Sequence, residues 1–120
     1  MKQIIVLRKD LNMRKGKMVA QGAHASVTVV QDILNGKEDH PFRSYLKVWN
    51  DEGMTKIVVG VATEEELINL HKKALAANLP TALIKDAGRT EFAEPTFTCI
   101  AIGPAPEKTV DIFTGELKLL

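Results

Sequence analysis

Apolar and polar positions alternate along the chain in blocks whose period changes from strand-like to helix-like. Gln3 to Leu7 is a short β-branched run without alternation, which predicts a strand buried on both faces. From about Gly16 to Leu34 the period becomes helical, and Asn35-Gly36 supplies the stop. On a wheel of that helix Lys17, Gln21, His24 and Thr28 make one polar stripe. Val19, Ala23, Val27, Val30 and Leu34 make an apolar stripe on another side. His40-Pro41 restarts a short helix, with apolar positions at Phe42, Leu46 and Trp49. Thr55 to Ala62 predicts a second buried strand. Thr63 and Glu66 form a capping-box pair for a helix through Leu67, Leu70, Ala74 and Ala77, ended by Asn78. Thr81 to Lys85 is a third strand, Asp86 to Pro95 a polar loop, and Thr96 to Gly103 a fourth strand. Pro104 and Pro106 lead into a last short helix that ends at Gly115.

The order is β-α-α-β-α-β-β-α. Helices separate the first three strands, so these are expected to run parallel with right-handed crossovers. Only a loop separates the third from the fourth, which predicts an antiparallel step. The expected fold is α/β, a three-layer α/β/α sandwich around a four-stranded mixed sheet, with three parallel strands and the last antiparallel. The strand order stays open. With 120 residues, the chain is expected to form a single domain over residues 1–120.

Composition narrows the class. Net charge is only +1, so overall charge gives no reason to expect nucleic acid, yet Lys9, Arg14, Lys15 and Lys17 crowd within nine positions. The single cysteine excludes an intrachain disulfide and a metal site built on cysteines. It lies in an apolar run, where a buried, inert thiol is expected. The apolar part of the N-terminus is too short for a signal peptide, and no stretch approaches a membrane span, so a cytoplasmic protein with no membrane partner is expected.

The topology also gathers chemistry. Parallel strands end on one sheet edge, where open α/β folds bind ligands. The loop after the first strand carries Lys9 to Lys17. The loop after the third carries Asp86, Gly88, Arg89 and Thr90, and an antiparallel fourth strand would begin there, at Thr96 and Thr98. Lys17, His24, Asp86, Arg89, Thr90 and Thr98 can therefore share one rim. The long helix also points its N-terminus at it, a favourable place for an anion.

The run R-x-D-L-x-M-x-K-G-K-x-x-A-Q-x-A-H-A, then D-A-G-R-T-E, then T-x-T-x-x-A-I-G-P and a terminal L-K-L-L resembles the peptidyl-tRNA hydrolase 2 family of archaea and eukaryotes. The resemblance covers almost the whole chain, with separate motifs in the right order. It implies a small α/β domain, often a homodimer, that hydrolyses the ester joining a peptide to the terminal ribose of tRNA and so recycles tRNA after ribosome drop-off. It implies no metal and no organic cofactor. Residue by residue, it carries catalytic roles to Lys17, Asp86, Thr90 and Thr98, and it matches Gln21 and His24 to the A-Q and A-H positions. No role is carried over to Phe92 through Pro95.

The chemistry of these residues leaves alternatives. Without a G-x-S-x-G elbow, and with its cysteine in an apolar strand, the chain favours direct attack by water over a covalent nucleophile. Asp86 can orient or deprotonate that water, or it can cap its own loop. Lys17 can face the oxyanion, hold Asp86 ionised or contact a phosphate. His24 is a general base by chemistry or a helix side chain of no catalytic consequence. Gln21, Arg14, Lys15 and Arg89 are expected to bind substrate, the three cations through phosphate, or the cations are simply solvated. Arg8 can pair with Asp10 or Asp86. A non-catalytic RNA-binding module is the alternative function.

Overall fold

The computed structural model describes residues 1–88 and 92–120. Its elements follow the expected order: β1 (Lys2–Arg8), α1 (Lys15–Asn35), α2 (Pro41–Asp51), β2 (Lys56–Val61), α3 (Glu64–Ala76), β3 (Thr81–Asp86), β4 (Thr96–Ala105) and α4 (Glu107–Thr114). The caps form where the residue types predict them. The Nδ1 of His40 accepts from the Phe42 N–H at 3.2 Å, just ahead of Pro41. The Thr63 hydroxyl accepts from the Glu66 N–H at 3.1 Å, and the Glu66 carboxylate returns to the Ala62 N–H at 3.0 Å.

The four strands form one mixed sheet in the order β2-β1-β4-β3. β1 and β2 pair in parallel, with Gln3 opposite Lys56 and Arg8 opposite Val61. β4 lies antiparallel between β1 and β3. The expectation of three parallel strands is corrected here. β3 runs in the same direction as β1, but β4 separates them, so β1–β2 is the only parallel pair. The cause is burial: β4 is buried along nearly its whole length and takes a central place, with a neighbour on each edge and helices on both faces.

The helices divide between the two faces. On one, Ile5, Leu7, Ile84 and Ala101 meet Ala25, Val29 and Ile33 of α1 and Leu46 and Trp49 of α2. On the other, Ile4, Val6, Ile100 and Ile102 meet Leu67, Leu70 and Ala74 of α3 and Val110 of α4. Among the described residues no helix is long and apolar enough to cross a membrane.

An apolar stripe ordinarily faces the core, and on α1 it does not. Val19, Val27 and Leu34 are 72%, 51% and 50% exposed. The buried side carries Gly22, Ala25, Ser26, Val29 and Ile33, roughly 120° around the helix from that stripe. Small residues let the helix lie close: a Cβ on Gly22 would sit 3.4 Å from the Ile5 side chain. Ser26 turns the same way because it has a partner there. Its hydroxyl donates to the buried Gln3 carboxamide at 2.6 Å, and that carboxamide donates to the Gly103 carbonyl at 3.0 Å. The exposed stripe joins an apolar groove of about 490 Å³ between α1 and β2, lined by Met18, Val19, Ala23, Val58 and Leu120.

Candidate active site

β3 positions the first candidate side chain by alternation. Ala82 and Ile84 face α1, so Asp86, two residues further, faces it as well. Lys17, in the first turn of α1, reaches across to it. Its Nζ lies 2.6 Å from Asp86 Oδ1, a contact spanning 69 positions of sequence. The two side chains are 10% and 7% exposed, so the pair is largely withdrawn from water. Asp86 Oδ2 accepts the Gly88 N–H at 2.9 Å. The pairing role and the loop-capping role are thus both present, one on each oxygen. Gly88 has φ +80°, and a Cβ there would stand 2.9 Å from the Glu94 carbonyl carbon, so glycine allows the two ends of the loop to close on each other.

β4 places Thr98 by a backbone irregularity. Ile84 pairs with Cys99, but the next residue, Lys85, pairs with Phe97, so the ladder passes over Thr98. Strict alternation would turn Thr98 toward the α3 face, with Ile100. The bulge turns it to α1, where its hydroxyl donates to Gln21 Oε1 at 2.5 Å. The neighbouring Cys99 thiol donates to the Gln21 backbone carbonyl at 3.3 Å. Burial pushes that thiol up to about 11, which keeps it protonated and unreactive at neutral pH. Thr98 is fully buried and Gln21 nearly so.

The other candidates spread around this pair. His24 is exposed on α1, one turn beyond Gln21, and Arg14 and Lys15 are exposed where the helix begins. No acidic residue of α1 itself occupies its first turn, so the positive end of the helix dipole lies beside these cations. Arg89 and Thr90 lie outside the described residues. Arg8 takes Asp10, of its two possible partners, in a two-pronged contact at 3.0 and 2.7 Å. It also donates to the Phe97 carbonyl at 3.0 Å, which ties the basic loop to the start of β4. The Arg8 hydrogen bonds hold the Asp10 carboxyl below its ordinary range. Among the described residues no three or more His, Cys, Asp or Glu gather as a metal-binding group.

One neighbour was not visible in the sequence. The Phe92 ring lies under the Lys17 ammonium, with the centroid 5.7 Å from Nζ. Its signal was an aromatic inside a polar loop, in a chain with few aromatics. Taken together, a desolvated lysine–carboxylate pair, a buried amide–hydroxyl pair and a cationic helix N-terminus can hold an anionic ligand and stabilise or move charge beside it.

A family model described as peptidyl-tRNA hydrolase PTH2 matches residues 1–120. A peptidyl-tRNA hydrolase of Sulfurisphaera tokodaii is 50% identical over 119 residues, covering 99% of this chain and 98% of the relative. Peptidyl-tRNA hydrolases of Saccharolobus islandicus and Saccharolobus solfataricus are each 47% identical over the same shares.

Proposed function

The chain belongs to the peptidyl-tRNA hydrolase PTH2 family, and we propose that its ester-cleaving centre is the Lys17–Asp86 pair backed by Gln21 and Thr98. The activity is carboxylic ester hydrolysis: water cleaves the bond between a peptide and the 3′-terminal ribose of tRNA, returning the tRNA for use. The whole chain acts as one domain, in the cytoplasm, where stalled ribosomes release the substrate.

The reaction needs a positioned water and compensation for the charge that builds on the ester carbonyl. Asp86 orients that water, takes up its proton as the water attacks the carbonyl, and returns it to the ribose oxygen as the ester C–O bond breaks. Lys17 holds the Asp86 carboxylate at 2.6 Å and stands beside the oxyanion as it forms. Thr98, buried and bonded to Gln21, acts by fixing the amide and not by touching substrate. Gln21 then presents its carboxamide to the ribose end. Arg89 and Thr90, three and four residues after Asp86 in sequence, act on substrate beside it, and Arg14 and Lys15 bind phosphates beside the helix N-terminus. His24 is the reserve candidate for the base. The observation that carries this reading is the 2.6 Å contact between two motifs 69 residues apart, withdrawn from water at the end of β3.

The deciding experiment compares hydrolysis of N-acetylated and free aminoacyl-tRNA by the wild type and by Lys17→Ala and Asp86→Asn. Selective cleavage of the blocked ester, lost in both folded variants, is expected. Near-normal kcat in either variant would remove that residue from the mechanism.

A homodimer is part of the proposal. The exposed Val19–Val27–Leu34 stripe and the groove beside it offer an apolar surface that a second copy would cover. Sedimentation of Val27→Asp should then give a monomer where the wild type gives a dimer.

A further inference from the structure

We propose that Phe92 is a positioning residue for Lys17, holding its ammonium in place against Asp86. This rests on the reading of Lys17 given above. A lysine ends in a compact charge on a flexible four-carbon stem, so the surfaces around its head decide where that charge sits. Here the ammonium meets Asp86 at 2.6 Å and also lies over the Phe92 ring, 5.7 Å from its centroid. The negative face of an aromatic ring attracts a cation at that distance, and more strongly where water is displaced. Phe92 is itself anchored. It is half-buried and packs against the core cluster on the α1 face. It belongs to the loop whose ends press together at Gly88 and Glu94. The ring is therefore an anchored aromatic wall beside the ammonium, and it acts through Lys17 without contacting the ester.

Leucine at 92 keeps apolar bulk and loses the aromatic face, whereas tyrosine keeps the face. A contact of this kind corresponds to about 2- to 30-fold. Steady-state hydrolysis of N-acetyl aminoacyl-tRNA is measured for Phe92→Leu, Phe92→Tyr, Lys17→Ala and the Phe92→Leu/Lys17→Ala double variant, with melting curves for each. Phe92→Met serves if the leucine variant does not fold. The expected result is a kcat lowered by that factor in Phe92→Leu with KM unchanged, recovery in Phe92→Tyr, and no further loss from Phe92→Leu once Lys17 is alanine. The inference is overturned by an unchanged kcat in Phe92→Leu, by a rise in KM alone, by a tyrosine variant as slow as the leucine one, or by an equal drop in the Lys17→Ala background. If Lys17→Ala keeps its kcat, the reading of the site fails. If Lys17→Ala is slow and Phe92→Leu is not, only the role of Phe92 fails.

Discussion

Asp86→Asn removes one charge and almost no volume. The asparagine oxygen can still accept the Gly88 N–H that Asp86 Oδ2 accepts at 2.9 Å, so the loop keeps its cap. Lys17 is left without the carboxylate 2.6 Å away, on a side chain only 10% exposed. Removing one partner of a buried pair costs about 3–5 kcal/mol, because the surviving charge stays withdrawn from water without that compensation. Lys17 lies near enough to solvent to swing outward, so the lower end, about 3 kcal/mol, is expected. That is a large share of the roughly 5–15 kcal/mol that holds a domain together. For a chain of this length it lowers Tm by roughly 10–15 °C. Lys17→Met combined with Asp86→Asn removes both charges and should regain the wild-type stability to within about 1 kcal/mol. Activity should not follow stability: kcat falls about 10²–10⁴-fold in the single and stays low in the double variant. Urea and thermal unfolding beside N-acetyl aminoacyl-tRNA hydrolysis separate the two effects. An Asp86→Asn protein that melts with the wild type would mean that the pair is not desolvated as described. A double variant as unstable as the single would place the loss in the loop, not in the broken ion pair.

Three further outcomes follow from the geometry. Thr98→Val is nearly isosteric but leaves Gln21 Oε1 without its 2.5 Å donor, so urea unfolding should show a loss of about 1–3 kcal/mol, with kcat reduced in the folded fraction. His71 is half-buried against Thr81 and its pKa is lowered by burial, so the unfolded chain takes up a proton there before the folded one does. Its contribution is intact above the unfolded value of about 6.5 and is lost as pH falls below it toward the folded value. In urea unfolding across that window, His71→Gln should flatten the pH dependence, and an unchanged slope would count against it. Arg14→Ala and Lys15→Ala should each reduce the log–log salt slope of kcat/KM by about 0.7–0.9, and slopes equal to the wild type would show that these cations do not meet phosphate.

Much of this arrangement was legible in the residues. The caps at His40-Pro41 and at Thr63 and Glu66 are local chemistry, and local chemistry can be read directly. That Lys17 and Asp86 share one rim followed from direction alone, because β1 and β3 point the same way whatever lies between them; that they touch did not. What escaped was non-local. A strand order of 2-1-4-3 depends on which strand needs cover on all sides, and the unbroken apolar stretch from Cys99 to Ile102 was the available hint that β4 is central. The facing of α1 escaped because two sides of the helix are apolar, and close approach at Gly22 and the bond from Ser26 to Gln3 decide between them. The bulge at Thr98 leaves no mark in residue types at all, yet it is what turns that hydroxyl toward Gln21.

The central place of β4 has a consequence for how the protein comes into being. β1, β2 and β3 are all synthesised before it, but β4 is the strand that joins β1 to β3. Domains fold as units during synthesis, from the N-terminus onward. Until Thr98 and its neighbours have emerged, the sheet has a gap in its middle, Gln21 lacks its hydroxyl, and Asp86 has no strand to hold it opposite Lys17. The topology therefore delays the meeting of Lys17 with Asp86 until β4, the last strand in the chain, has joined the sheet.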